Sequence, residues 1–148
     1  MLTDDPVREL THDHADLNRR VLELGATIAK QSELQALAPL LRDLREQLFL
    51  HFAREEEGLF PLVSDWIPEL ADQVLAMAVA HDTICGALAR MVHSASTEAD
   101  PAVFRGLFVR FQTAYAEHAK SELDLLQQLD SRLDTTQRAQ LAELVRGL

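Results

Sequence analysis

The sequence is short of several things, and each shortage removes a class of protein. A single cysteine, Cys85, leaves no intramolecular disulfide to be made, which suits a reducing compartment. No apolar run approaches the ~20 residues that a helix needs to cross a bilayer. The acidic start M-L-T-D-D-P has neither the basic nor the apolar part of a secretory signal. The expected location is therefore cytoplasmic. Basic residues are scarce: 14 Lys and Arg stand against 24 Asp and Glu, for a net charge of -10. Nucleic acid and anionic membrane both require a basic face, so neither is an expected partner. No stretch alternates polar and apolar residues with the period of a strand, and no segment is of low complexity.

What is present is helical periodicity. The 148 residues, 47% of them apolar, suffice for one domain around one core. That domain is expected to take in residues 1–148, with a bundle over about 5–130 and a last helix over about 135–146. Asp5 followed by Pro6 is a capping side chain before a first-turn proline. Leu10, His14, Leu17, Val21, Leu24 and Ile28 then repeat every 3.6 residues and define a first helix over about 5–30. Ser32 can cap a second, with Pro39 near its start and an inward stripe of Leu37, Leu41, Leu44, Leu48, His51, Glu55 and Leu59. Gly58 and Pro61 should loosen its end.

S-D-W-I-P, residues 64–68, reads as a turn, with Pro68 in the first turn of a third helix striped by Leu70, Val74, Met77, His81, Ile84, Leu88 and Met91. S-A-S-T-E-A-D-P, 94–101, is the next break. Behind it, Asp100 and Pro101 open a fourth helix carrying Phe104, Phe108, Phe111, Tyr115, His118, Glu122, Leu125 and Leu129. Asp134 or Thr135 opens a fifth. Four long helices joined by short turns predict an all-α, antiparallel up-down-up-down four-helix bundle with a short fifth C-terminal helix.

Four of the six histidines lie on these stripes, one per long helix. Thirty-seven residues separate His14 from His51, and the same number separates His81 from His118. The midpoints of successive pairs fall in the three expected turns, so antiparallel helices bring all four imidazoles to one depth. Glu55 and Glu122 each follow a histidine by four residues, on the same helix face. The two halves of the chain read as helical hairpins related by a pseudo-two-fold. Buried ionised carboxylates are costly unless paired or bound to a cation. A proton-sharing His–Glu network would satisfy the six groups without metal. A metal site would take His14, His51, Glu55, His81, His118 and Glu122 as ligands.

Imidazole nitrogen and carboxylate oxygen suit iron, manganese or zinc. Six ligands are too many for one tetrahedral zinc. They suit two cations, each with two histidines, the glutamates bridging and oxide, hydroxide or water completing the shell. Open positions on redox iron are where dioxygen, nitric oxide or peroxide bind. Glu56 and Glu57 extend an acidic run that reads mainly as a solvated face, with Glu56 alternatively just behind the ligands; Tyr115 lines the pocket, donates to a bridging oxygen or packs in the core; Cys85 is a small buried residue, a weak ligand or a reactive thiol. His12 and His93 are expected outside the site.

H-F-A-R-E-E-E-G-L-F-P at 51–61, His14 with Leu17, A-H-D-T-I at His81 and H-A-K-S-E at His118 together resemble the hemerythrin-like, or HHE cation-binding, domain over roughly 5–130. The resemblance implies a four-helix bundle around a non-haem di-iron centre with carboxylate and oxo or hydroxo bridges. Oxygen-carrying hemerythrins have a fifth histidine where this chain has Cys85, and end in H-x-x-x-x-D where it has His118-x-x-x-Glu122. The ligand pattern is more similar to the di-iron domain of repair-of-iron-centres proteins and to eukaryotic iron-sensing domains. The expected function is binding of, or response to, a small oxidant or iron supply. The alternatives are a di-iron peroxidase, catalase or oxidase, and an iron-sensing adaptor. A monomer or weak homodimer is expected, the fifth helix capping the bundle or offering a contact surface.

Overall fold

A computed structural model describes residues 5–30, 33–97 and 100–146. Among the described residues there are six α-helices: α1 (Pro6–Lys30), α2 (Ala38–Ala53), α3 (Phe60–Trp66), α4 (Ala71–Ser96), α5 (Pro101–Arg132) and α6 (Thr135–Arg146). No strand occurs among the described residues. Short 3-10 turns at Leu34–Leu37 and Pro68–Leu70 lead into α2 and α4.

The starts of the helices follow their side chains. The Asp5 carboxylate accepts the Val7 N–H at 3.1 Å, and that of Asp100 accepts the Ala102 N–H at 2.9 Å. Each supplies an acceptor for one of the N–H groups a helix start leaves over. At α6, Asp134 accepts the Gln137 N–H at 2.7 Å while the Gln137 side chain accepts the Asp134 N–H at 3.0 Å. That reciprocal capping box makes Asp134 the cap and Thr135 the first helical residue. The cap expected at Ser32 lies outside the described residues.

Two expected breaks are narrower than the sequence suggests. Helix α3 runs through Ser64, Asp65 and Trp66, and only Ile67, at φ -132 and ψ 77, leaves helical geometry before Pro68. Helix α4 continues through Ser94 and Ala95, both buried, to Ser96. Gly58 and Pro61 do not end the second rod either. Arg54–Leu59 form a π-helical turn in which the Phe60 N–H bonds the Glu55 carbonyl, and the rod then continues as α3.

Helix α1 packs on α2 and α5, and α4 packs on α2 and α5. Consecutive long helices joined by short turns lie side by side, so the rods alternate in direction around a common axis. Helix α4 with its leading turn, 68–96, is long and apolar enough by composition to cross a bilayer. Its stripe of Val74, Met77, Ile84, Leu88 and Met91 is instead buried in the bundle.

The core is divided. One apolar cluster holds Leu17, Leu48, Phe52, Ile84, Phe111 and Tyr115 with the residues beyond them. The other holds Leu10, Leu59, Phe60, Met77, Leu125 and Leu126, together with Leu141 and Val145 of α6. On every rod the step from one cluster to the other is filled by a histidine, with a glutamate one turn along on the second and fourth rods. Helix α6 closes one end against α1 and the π turn. Gly58 makes that approach possible, because a Cβ there would meet Val145 Cγ2 at 3.3 Å and the Val145 backbone nitrogen at 3.4 Å.

Candidate metal centre

All six expected ligands are buried, with Glu55 and Glu122 completely enclosed. They divide into two groups of three, His14 with His51 and Glu122, and His81 with His118 and Glu55. Each group pairs the two histidines of one hairpin with the glutamate of the other. Glu122 Oε2 contacts His14 Nδ1, and both Glu122 oxygens reach His51 Nε2, at 3.1 and 3.2 Å. Glu55 Oε1 lies 3.1 Å from His81 Nε2. Each glutamate also stays near the histidine four residues before it, Glu55 Oε1 at 3.6 Å from His51 Nε2 and Glu122 Oε1 at 3.7 Å from His118 Nε2. The carboxylates therefore stand between the two groups.

The donor atoms within each group lie within 4.8 Å of one another, which sub-ångström shifts would bring to bonds of ~2.1 Å to one ion. Several of the same atoms lack any other partner. His81 Nε2, both ring nitrogens of His118, both oxygens of Glu55 and His51 Nδ1 are buried without a hydrogen bond. The His81–Glu55 approach is close enough for an ion pair but not aligned for a hydrogen bond. A buried polar group left so costs about 1–3 kcal/mol. Cations at the two groups would give most of these atoms a partner, so the donor set fits a pair of metal ions.

Without metal the electrostatics are lopsided. Burial, reinforced by the charge of Glu122, pushes the Glu55 carboxyl well above the usual range. Burial would raise Glu122 too, but the polar groups of Glu55, His118, His14 and His51 crowded around it together hold it well below that range. Burial, together with the neighbouring His118, brings His81 down to about 3. Without metal, burial thus favours the neutral forms of His81 and Glu55, while the surroundings of Glu122 favour its ionised form.

The residues expected beside the ligands separate clearly. Glu56 Oε2 accepts a hydrogen bond from His81 Nδ1 at 2.9 Å. The Tyr115 hydroxyl is turned to Asn18, donating to its Oδ1 at 2.8 Å, and its ring packs in the core. Cys85 is half-buried against the same cluster and belongs to neither group of donors. Burial and the carboxylates of Asp82 and Glu56 push its thiol up to about 11, which disfavours the thiolate in the metal-free site. His12 and His93 are exposed.

Three residues escaped sequence reasoning. Phe52 stacks on His81 at 3.7 Å between ring centroids and meets His118 edge-on at 5.4 Å, while Phe60 lies 5.6 Å from His81. Asn18 receives Tyr115. Phe52 and Phe60 lie in the same H-F-A-R-E-E-E-G-L-F-P stretch as His51 and Glu55, and Asn18 follows His14 by four. Adjacency to ligands was the signal available.

Residues 5–129 match the family model described as the hemerythrin HHE cation binding domain. Searches of curated proteins and of solved structures found no match.

Proposed function

The chain belongs to the hemerythrin HHE cation-binding family, and from that premise we propose that it carries a non-haem di-iron centre that binds or responds to a small oxidant or to iron supply. Cation binding is what the family implies, and the two buried groups of donors supply the ligands. The observation that carries the reading is the division of six donors into two matched sets, with both carboxylates reaching across. His14 and His51 would hold one ion and His81 and His118 the other, with Glu55 and Glu122 shared between them.

Two histidines and two shared carboxylates would give each ion four protein donors and leave room for non-protein oxygen, and a pair of irons would supply open positions for dioxygen, nitric oxide or peroxide. Leu48, Ile84 and Phe111 exclude water on one side. Binding ranks ahead of turnover, because a catalyst would need a proton donor near the open position, and the nearby hydroxyl of Tyr115 and thiol of Cys85 are poorly suited to serve. Tyr115 is committed to Asn18, and burial first, then Glu122, raise its hydroxyl further. The Cys85 thiol is held at about 11. The burial of Leu141 and Val145 favours α6 as a cap rather than an adaptor surface. A net charge of -10 and the lone cysteine support a cytoplasmic monomer or weak homodimer with no nucleic-acid or membrane partner.

Metal analysis of anaerobically purified protein should find two irons per chain, with an absorption spectrum that changes on exposure to oxygen or nitric oxide. His51→Ala and Glu122→Ala should each lose most of the iron. Full retention in both variants, or a wild-type chain that takes up none, would overturn the assignment. Steady-state consumption of peroxide by the iron-loaded protein would move the reading to an enzyme.

A further inference from the structure

His81 differs from the other ligand histidines in how it is held. Its Nε2 faces Glu55 and the second group of donors, while its Nδ1 points outward to Glu56. A carboxylate only accepts, so the hydrogen bond requires the proton on Nδ1 and leaves the Nε2 lone pair free for a cation. The ring plane is fixed as well, by Phe52 stacked at 3.7 Å and 10° on it, and by Phe60 at 20°. His51 Nδ1 and both nitrogens of His118 have no hydrogen bond. Glu56 is no buried ligand: its side chain is 44% exposed, and it lines an open groove with Phe60, Pro61, Ser64, Val74 and Leu75.

We infer that Glu56 is a positioning residue for the His81–His118–Glu55 cation, and that through it the two cation positions are unequal. From the rim of the groove it sets the tautomer and direction of His81 and raises the basicity of Nε2. The His14–His51–Glu122 position receives no such help from Glu56. The inference rests on the two-cation reading and adds to it that one position depends on a side chain that touches no metal. Partners of this kind typically change metal affinity by ~10–100-fold.

The test is titration of the metal-free full chain with zinc and with cobalt(II), following heat and the cobalt spectrum, in wild type, Glu56→Ala, Glu56→Gln and Glu57→Ala. Wild type should bind two equivalents. Glu56→Ala should weaken one equivalent by ~10–100-fold and leave the other unchanged. Glu56→Gln keeps an acceptor oxygen and should recover most of the loss, and the exposed Glu57→Ala should resemble wild type. Nitrogen-15 spectra of the zinc-loaded protein should show His81 protonated at Nδ1 in wild type and Glu56→Gln.

Two unchanged equivalents in Glu56→Ala overturn the inference, as does equal weakening of both or a failure of Gln to rescue. A wild-type chain that binds neither metal removes the two-cation reading instead. The two failures are therefore distinguishable.

Discussion

Two enclosed carboxylates in mutual contact cannot both ionise cheaply, because burial penalises each charge and each repels the other. In the metal-free protein the proton is favoured on Glu55 and the charge on Glu122. The acid response follows from the signs. Glu55, raised above 4.5, keeps a proton the unfolded chain has lost, so it adds stability as pH falls towards 4.5. His81, lowered from 6.5 to about 3, refuses a proton that the unfolded chain accepts, so it removes stability as pH falls through that interval. Above 4.5 the two act in opposite directions. Below 4.5 the gain from Glu55 ends, and His81 and the depressed Glu122 both act against the fold. Loss of stability should therefore steepen below about pH 4.5, towards ~2.7 kcal/mol per pH unit for two protons. Glu55→Gln, lacking the offset, should begin to lose stability near pH 6.5. Urea midpoints of the metal-free proteins measured from pH 7 to 3 check this, and identical profiles would contradict it.

Among the elements, the second rod departs most from expectation. Gly58 and Pro61 read as the loosening of a helix end, since one costs backbone entropy and the other lacks an N–H. The chain instead widens by one residue into a π turn over Arg54–Leu59 and resumes as α3. Pro61 offers no hydrogen for this stretch, and the wider turn accommodates the missing bond. Glu55 sits in that turn, so its rotation about the rod is set by a feature that a 3.6-residue period does not contain. Gly58 serves a different element by letting Val145 of α6 come close. Gly58→Leu should push α6 from its seat and destabilise the protein by about 1–3 kcal/mol. Thermal melting and faster proteolysis near residue 134 would report it, and an unchanged melt would show that α6 adjusts freely. The capping signals at Asp5, Asp100 and Asp134 were legible because they act within three residues.

For the molecule as a whole, the ligand layer interrupts the core. Apolar clusters lie on both sides, and between them six polar side chains take the space that a simple bundle would fill with leucine. The bare chain thus carries unpartnered buried atoms at its waist, and cations that satisfy them should stabilise the whole fold. Metal at 100 times its dissociation constant adds about 2.7 kcal/mol per site. With two such sites the melting temperature should rise by roughly 10–20 °C, at ~2–4 °C per kcal/mol for a chain of this size. Differential scanning calorimetry before and after chelation measures the rise, and equal melting temperatures would mean that the layer does not need metal.

Sequence by itself determined the four stripes, the order of the rods and the common depth of His14, His51, His81 and His118, because periodicity depends on near neighbours. It also placed Glu55 and Glu122 on the same faces. Only the tertiary structure decided that each glutamate crosses to the histidines of the other hairpin, that Glu56 holds His81, that Phe52 and Phe60 wall its ring, and that Tyr115 turns away to Asn18. Those choices depend on the rotation of helices whose contacting residues lie far apart in the chain, and no local pattern encodes that rotation.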